Sequence, residues 1–154
     1  MNSTKSSLLV VILILISAFK LYAQTKAIKG RVVGEDYETI LHASIMINDT
    51  VKVGQTDVGG YFNIEIPNGV KNLSIFDVGF EKAVIHLDEN CYTVDVIMMA
   101  MYTYDFKTLK KVDKLRMKRF KQLPVIHKLA FEKGMFTTDK ACYRQEFIPN
   151  YSRN

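Results

Sequence analysis

The sequence predicts a mainly β protein: a small sandwich of two antiparallel sheets followed by a short, basic, mainly helical extension. Three observations carry this. Between residues 27 and 99, short apolar stretches recur at roughly ten-residue spacing, alternate with polar side chains and end on turn residues. From Phe106 to Gln122, Gly and Pro disappear and the apolar spacing changes to three and four. The whole chain has 154 residues, 48% apolar and 24% charged, which suits one ordinary domain or one small domain with an appendage. That length excludes a multi-domain enzyme. Two Cys exclude a cysteine framework, and one long apolar run excludes a multi-span membrane protein.

The long apolar run comes first. Lys5 lies among Asn2, Ser3, Thr4 and Ser6, Leu8 to Ile16 are continuously apolar, and small Ala23 precedes Gln24. A charged start, an apolar core of about 9–12 residues and a small residue at the end are the parts of a secretory signal peptide. A membrane-spanning helix needs roughly 20 apolar residues, and Lys20 interrupts this run. Residues 1–23 are therefore expected to be an export signal. No Cys near Ala23 suggests a lipid anchor. The chain is therefore expected to be exported.

The strands follow. Ile28, Gly30 and Val32 alternate with Lys29 and Arg31; Ala43, Ile45 and Ile47 alternate with Ser44 and Met46. Tyr61 to Ile66 alternates again, then Leu73 to Phe76, Ala83 to Leu87, and last Tyr92 to Met99. Alternation places successive side chains on opposite faces, as a half-buried strand requires. Six or seven such strands in about 75 residues can close a modest core.

Several of these segments resemble carboxypeptidase regulatory-like domains. Ile28 to Val33 is similar to their opening strand and His42 to Ile47 to their second. Gly54-Gln55-Thr56-Asp57-Val58-Gly59-Gly60-Tyr61-Phe62-Asn63-Ile64 follows the family pattern G-x-T-D-x-x-G-x-F-x-I, and Pro67 to Gly69, Leu73 to Ile75 and Val78 to Phe80 complete it. The chain departs from the family at Glu35–Leu41, where Tyr37, Glu38 and Thr39 stand in place of the usual Gly and Pro. The resemblance covers about residues 27–99 and implies a seven-stranded antiparallel, transthyretin-like sandwich over residues 24–101. It also implies a non-catalytic module of the kind found at the N-termini of bacterial outer-membrane and TonB-dependent receptor proteins, and with it the periplasm or the outer membrane as the location. The motif residues Gly54, Thr56, Asp57, Gly60, Phe62 and Gly79 are expected to be structural. Asp57 can accept backbone N–H groups in an Asx turn, Gly60 can supply a positive φ, and Gly79 allows a bend or bulge. Asp49 and Asp57 lack the density of oxygen ligands that Ca²⁺ demands.

Residues 102–154 form the extension. Helix is expected over Phe106–Gln122, capped by Asp105 or Thr108, and over a second stretch between Pro124 and Gly134. Ala141 to Ile148 alternates and reads as an extended arm or edge strand. Residues 24–104 carry net −5 and residues 105–154 net +8. Lys110, Lys111, Lys114, Arg116, Lys118, Arg119 and Lys121 crowd the first helix and repel one another at four-residue spacing. Such a helix either meets an anionic partner, a charged membrane surface or the acidic front segment of its own chain, or it simply shows a basic face to water. A peripheral membrane contact through this tail fits a basic helix. Nucleic acid is not an expected partner of an exported chain without a nucleic-acid-binding motif.

No chemistry-bearing constellation is visible. There is no G-x-S-x-G, H-E-x-x-H, C-x-x-C or glycine-rich phosphate loop, and His42, His86 and His127 lie far apart in the sequence. Neither a cofactor nor a metal is expected, nor catalytic activity. Cys91 and Cys142 are either bonded, which an oxidising envelope permits, or two separate buried thiols. The reading is an exported, non-enzymatic interaction module that contacts an envelope or outer-membrane protein. The alternative is a glycan- or peptide-binding module with an aromatic platform drawn from Tyr37, Tyr61, Tyr92, Tyr102 and Tyr104.

Overall fold

The computed structural model describes residues 25–151, so the export-signal expectation for residues 1–23 lies outside the described residues. The described chain is mainly β, with strands β1 (Thr25–Gly34), β2 (Ser44–Ile47), β3 (Val51–Gln55), β4 (Tyr61–Pro67), β5 (Asn72–Phe76), β6 (Ala83–Leu87) and β7 (Val96–Met98). Helices α1 (Leu109–Phe120) and α2 (Leu123–Glu132) and strand β8 (Tyr143–Glu146) follow. There are two sheets, of order β4-β1-β7 and β3-β2-β5-β6-β8.

Alternation builds the core between the sheets. Phe62, Ile64 and Ile66 of β4 are buried while Tyr61, Asn63 and Glu65 are exposed. They meet Ile45 and Ile47 of β2, Leu73 and Ile75 of β5 and Ile85 of β6 in one apolar cluster. The turn before β4 is fixed by Asp57, whose Oδ1 accepts the N–H groups of Gly59 and Tyr61 at 2.8 Å. Gly60 closes it with φ +76°, and a Cβ there would sit 2.6 Å from the Val32 carbonyl oxygen. Thr56, wholly buried, donates its hydroxyl to Ile40 O and accepts Ala43 N–H, both at 2.8 Å. Gly54 is needed because a Cβ would meet Ile64 Cγ2 at 2.5 Å, where the two sheets approach.

The topology corrects the expectation in two respects. The sheets are not wholly antiparallel: β1 pairs antiparallel with β4 through Thr25–Arg31, then parallel with β7 through Val32–Gly34. The reason is the return path after β6. Lys29 N–H donates to Tyr92 O and Val94 N–H to Lys29 O, so the chain re-enters alongside β1 in the same direction. The described strands also number eight rather than seven. The eighth comes from the extension, where the expected edge strand pairs antiparallel with β6 from Val84↔Glu146 to Leu87↔Tyr143. Strand β3 has a weak signal, because Lys52 and Gly54 interrupt its apolar pattern at the exposed border of the sheet.

A second core lies on the far side of the three-stranded sheet. Val33, Ile97 and Met99 pack there against Leu123, Ala130 and Phe136 of the extension. Hence β7 is buried at all three positions. A strand covered on both faces reads as an unbroken apolar run, as Val94 to Met99 does apart from Asp95.

The helices are close to expectation, with a shorter start. Phe106 takes φ +58°, outside the helical region, and α1 begins three residues later. Thr108 is the N-cap residue but makes no side-chain cap bond, and Asp105 lies before the helix, so neither expected cap forms. Pro124 sits in the first turn of α2. Gly134, at φ +71°, ends it: Gly134 N–H donates to Phe131 O and Met135 N–H to Ala130 O, a Schellman closure. Cys91 and Cys142 are bonded, with Cα atoms 5.3 Å apart, which fastens the approach to β8 to the middle of the β6–β7 connection.

Candidate functional site

Helix α1 sorts its charges by residue type. At 3.6 residues per turn, Lys110, Lys111, Lys114, Lys118 and Lys121 fall within an arc of about 100°, and all five are exposed. Val112, Arg116 and Arg119 lie on the opposite side, and Val112 and Arg116 are buried. Guanidinium groups suit that side because their planar forks satisfy carboxylates bidentately with little hydration to lose.

Glu81 receives Arg116 as such a fork, Nε to Oε1 at 2.9 Å and Nη2 to Oε2 at 2.7 Å. Arg116 Nη1 bonds Asp113 Oδ1 at 2.8 Å. Arg119 pairs with Glu35 and also donates to the Ala100 carbonyl at 2.8 Å and to Tyr104 Oη at 3.1 Å. Its guanidinium lies 4.1 Å from the Tyr102 ring centroid. The hydrogen bonds that Arg116 donates to Glu81 hold it above its ordinary value even though burial acts against the charge. Arg119 is likewise raised: burial opposes its charge, and its hydrogen bonds to Glu35 and Tyr104 together with the Glu35 charge outweigh it. The far end of the chain is tied in as well, because Asp113 accepts the N–H groups of Asn150 at 3.0 Å and Tyr151 at 2.8 Å. The acidic front segment and the basic extension thus neutralise each other at this seam. Arg116 and Arg119, two of the seven cations expected at a partner contact, are thus bonded to carboxylates of their own chain. The outward cationic surface consists of the five lysines, none of which joins an ion pair among the described residues.

A cavity of about 310 Å³ opens beside this seam, between Met99, Tyr104, Phe120 and Phe147. Its charged lining groups are already engaged: Glu81 bonds Arg116, Lys82 pairs with Asp49, and Glu146 bonds His86. No protein-family model matches this chain, and no curated protein matches it. Its residues alone must carry the functional argument.

The expected motif residues Gly54, Thr56, Asp57, Gly60 and Phe62 gather around the β3–β4 turn and the core behind it, where they shape backbone. Gly79, at φ +90°, sits in the turn before Phe80, and its carbonyl accepts Met101 N–H at 2.7 Å. The tyrosines do not line up as one row. Tyr61 stacks with Arg31 at 4.7 Å, Tyr37 with Lys133 at 4.7 Å, and Tyr102 and Tyr104 surround Arg119. Tyr92 stands exposed on the β6–β7 connection.

The histidines occupy three unlike settings. His42 is exposed at φ +60°. His86, on β6, bonds Asn72 Oδ1 at 2.8 Å and Glu146 Oε2 at 2.7 Å. His127, 5% exposed, packs its ring against Phe136. Among the described residues, no three His, Cys, Asp or Glu side chains gather in a way that could hold a metal ion. Burial pushes the His127 imidazole below its ordinary value of 6.5, and the backbone at Asp139 and the Asp95 charge only partly oppose this. The unfolded chain therefore takes up a proton that the folded chain refuses. The stability contributed by neutral His127 is fully present above pH 6.5 and is lost as pH falls toward the lowered folded value. The unfolding midpoint should fall between pH 7.5 and pH 5, and less steeply in His127→Leu. Thermal unfolding at both pH values checks this; equal slopes would show that His127 does not sense pH.

Proposed function

We propose that this chain is an exported, non-enzymatic interaction module of the carboxypeptidase regulatory-like, transthyretin-like kind, with β1 to β7 as that module and β8 added by its extension. Its role is that of an accessory or structural subunit in a bacterial outer-membrane transport or secretion assembly. The lysine face of α1 is its contact with an anionic envelope or outer-membrane protein. The observation that carries this reading is the separation of cations on α1: two arginines are spent on internal carboxylates, while five lysines are left together, exposed and unpaired among the described residues. A single-sign surface of this kind steers and orients an oppositely charged partner. The disulfide supports an oxidising location, and the motif from Gly54 to Ile64 supports the family resemblance.

The test uses the full chain, because the extension supplies β8, the disulfide and half of the second core and cannot be removed without damage. Tagged protein and a Lys110→Glu/Lys111→Glu/Lys114→Glu/Lys118→Glu variant are incubated with solubilised envelopes of the host. One outer-membrane protein should co-purify with the wild type, be lost with the variant, and dissociate as salt rises from low to roughly 0.5 M. Equal capture by the variant, or no capture, would overturn the reading.

One observation favours a second contact. Phe106 is fully exposed and Leu109 half-exposed at the start of the lysine face. An apolar tip ringed by lysines suits an anionic membrane surface. Among the described residues no helix is long and apolar enough to cross a membrane. Co-sedimentation with vesicles containing anionic lipid, lost in Phe106→Ser/Leu109→Ser, distinguishes this surface contact from protein capture.

A further inference from the structure

The edge of a sheet presents backbone N–H and C=O groups that no neighbouring strand takes up. Here β7 and β8 face each other without pairing, because side chains of the β8 region serve the carbonyls that a neighbouring strand would have taken. Tyr143 Oη donates to Asp95 O at 2.6 Å, and Gln145 Nε2 donates to Ile97 O at 3.4 Å. Backbone polarity is thereby satisfied while the two edges stay apart. The space between them, roofed by α1 and α2, is a cavity of about 660 Å³. That lies within the range of about 300–1,000 Å³ common to small-molecule sites.

Its chemistry is two-sided. Ile97, Met117, Phe120, Leu123 and Pro124 supply apolar wall, and Lys121, Lys140 and Arg144 outnumber Asp139 at its border. Those three cations are exposed and join no ion pair among the described residues. The His127 ring also lines the cavity, and neither of its buried ring nitrogens has a hydrogen-bond partner among the described residues. A neutral imidazole carries one N–H and one acceptor nitrogen, and leaving such groups buried and unmet is unfavourable. The polar groups of Tyr143 and Gln145 are already engaged. A sugar or nucleotide would thus find few partners inside.

From this we infer that the cavity binds a single-chain amphiphile with an anionic head, of the fatty-carboxylate class. The chain occupies the apolar wall, and the carboxylate meets Lys140 and Arg144 at the mouth. Charge sign at the rim selects against a cationic head. The inference is independent of the proposed function: Lys121 is the only residue that both use, and the test leaves it unchanged.

The experiment is a calorimetric titration of the full chain with dodecanoate and, separately, with dodecyltrimethylammonium, both below their micellar concentrations. Dodecanoate should saturate at one per chain, and the cationic amphiphile should bind at least about tenfold more weakly. Lys140→Glu/Arg144→Glu should weaken dodecanoate by about tenfold or more. Ala141→Trp, at an exposed lining position, should block entry. A titration of the wild type followed by methyl chemical shifts stands apart from any folding defect in the variants. Changes should concentrate on Ile97, Met117 and Leu123. Equal binding of both amphiphiles, no saturable binding, indifference to Ala141→Trp in a folded variant, or shifts centred elsewhere would each overturn the inference.

Discussion

Replacing Arg116 by alanine should destabilise the protein by about 3 kcal/mol, the low end of what breaking a buried ion pair costs. The side chains of Arg116 and Glu81 are only 10% and 13% exposed. Without Arg116, Glu81 keeps its charge in a poorly solvated place and Asp113 loses its partner on the same helix. The packing of the guanidinium beside Phe147, 5.1 Å from the ring centroid, goes with it. The two-residue replacement Arg116→Met/Glu81→Leu removes both charges, so its loss should be well below the sum of the single losses. Urea unfolding of the wild type, the two single variants and the double variant measures the coupling. A coupling near zero would mean that water screens the pair and that the seam is held by apolar contact alone.

Removing the Cys91–Cys142 bond should have a comparable or larger effect. The bond spans 51 residues, and closing a loop of that length corresponds to roughly 4 kcal/mol in the chain-entropy model. The loss should fall unevenly. Strand β6 pairs with β5 through Ala83–His86 and with β8 through Val84–Leu87, so it keeps one partner, whereas β8 has only β6 beside it in the sheet. In Cys91→Ala/Cys142→Ala, the urea midpoint should drop and amide protection should vanish first from Tyr143–Glu146. Unchanged protection of β8 would show that the strand holds itself in place through Tyr143 and Gln145.

The parts of this fold that were legible in the sequence share one property: the physics acting on them is local. Alternation from Tyr61 to Ile66 predicts a half-buried strand, and β4 is one. Asp57 and Gly60 form the turn that their chemistry suggests, and Pro124 with Gly134 brackets the second helix. What escaped depends on distant partners. The parallel β1–β7 register is set by how the chain passes Tyr92 and Val94, which no periodicity encodes. The start of α1 at Leu109 follows from a left-handed Phe106, a residue type that rarely adopts that conformation. The division of α1 into an inward arginine side and an outward lysine side was present in the sequence as spacing. Grouping all seven cations as one charge concealed it. Val112, Arg116 and Arg119 share one side of the helix and the lysines the other, and that spacing separates structural from available charge. The cavity between β7 and β8 had no comparable signal, because its walls come from four elements whose juxtaposition only the tertiary fold creates.

The closing strand has a consequence in time. Synthesis runs from N- to C-terminus, so β6 receives its outer neighbour only when residues 143–146 exist. At about 5–20 residues per second, the 51 residues between the two cysteines take roughly 3–10 s to appear. Throughout that interval Cys91 is a thiol without its mate and β6 presents bare backbone along one side. Any second nascent chain of the same kind offers the same thiol and the same bare strand, so crowded production favours head-to-head capture between copies. The last dozen described residues therefore act as the protein's own timekeeper: until they arrive, Cys91 is unmated beside an uncovered β6, and once they arrive both are engaged.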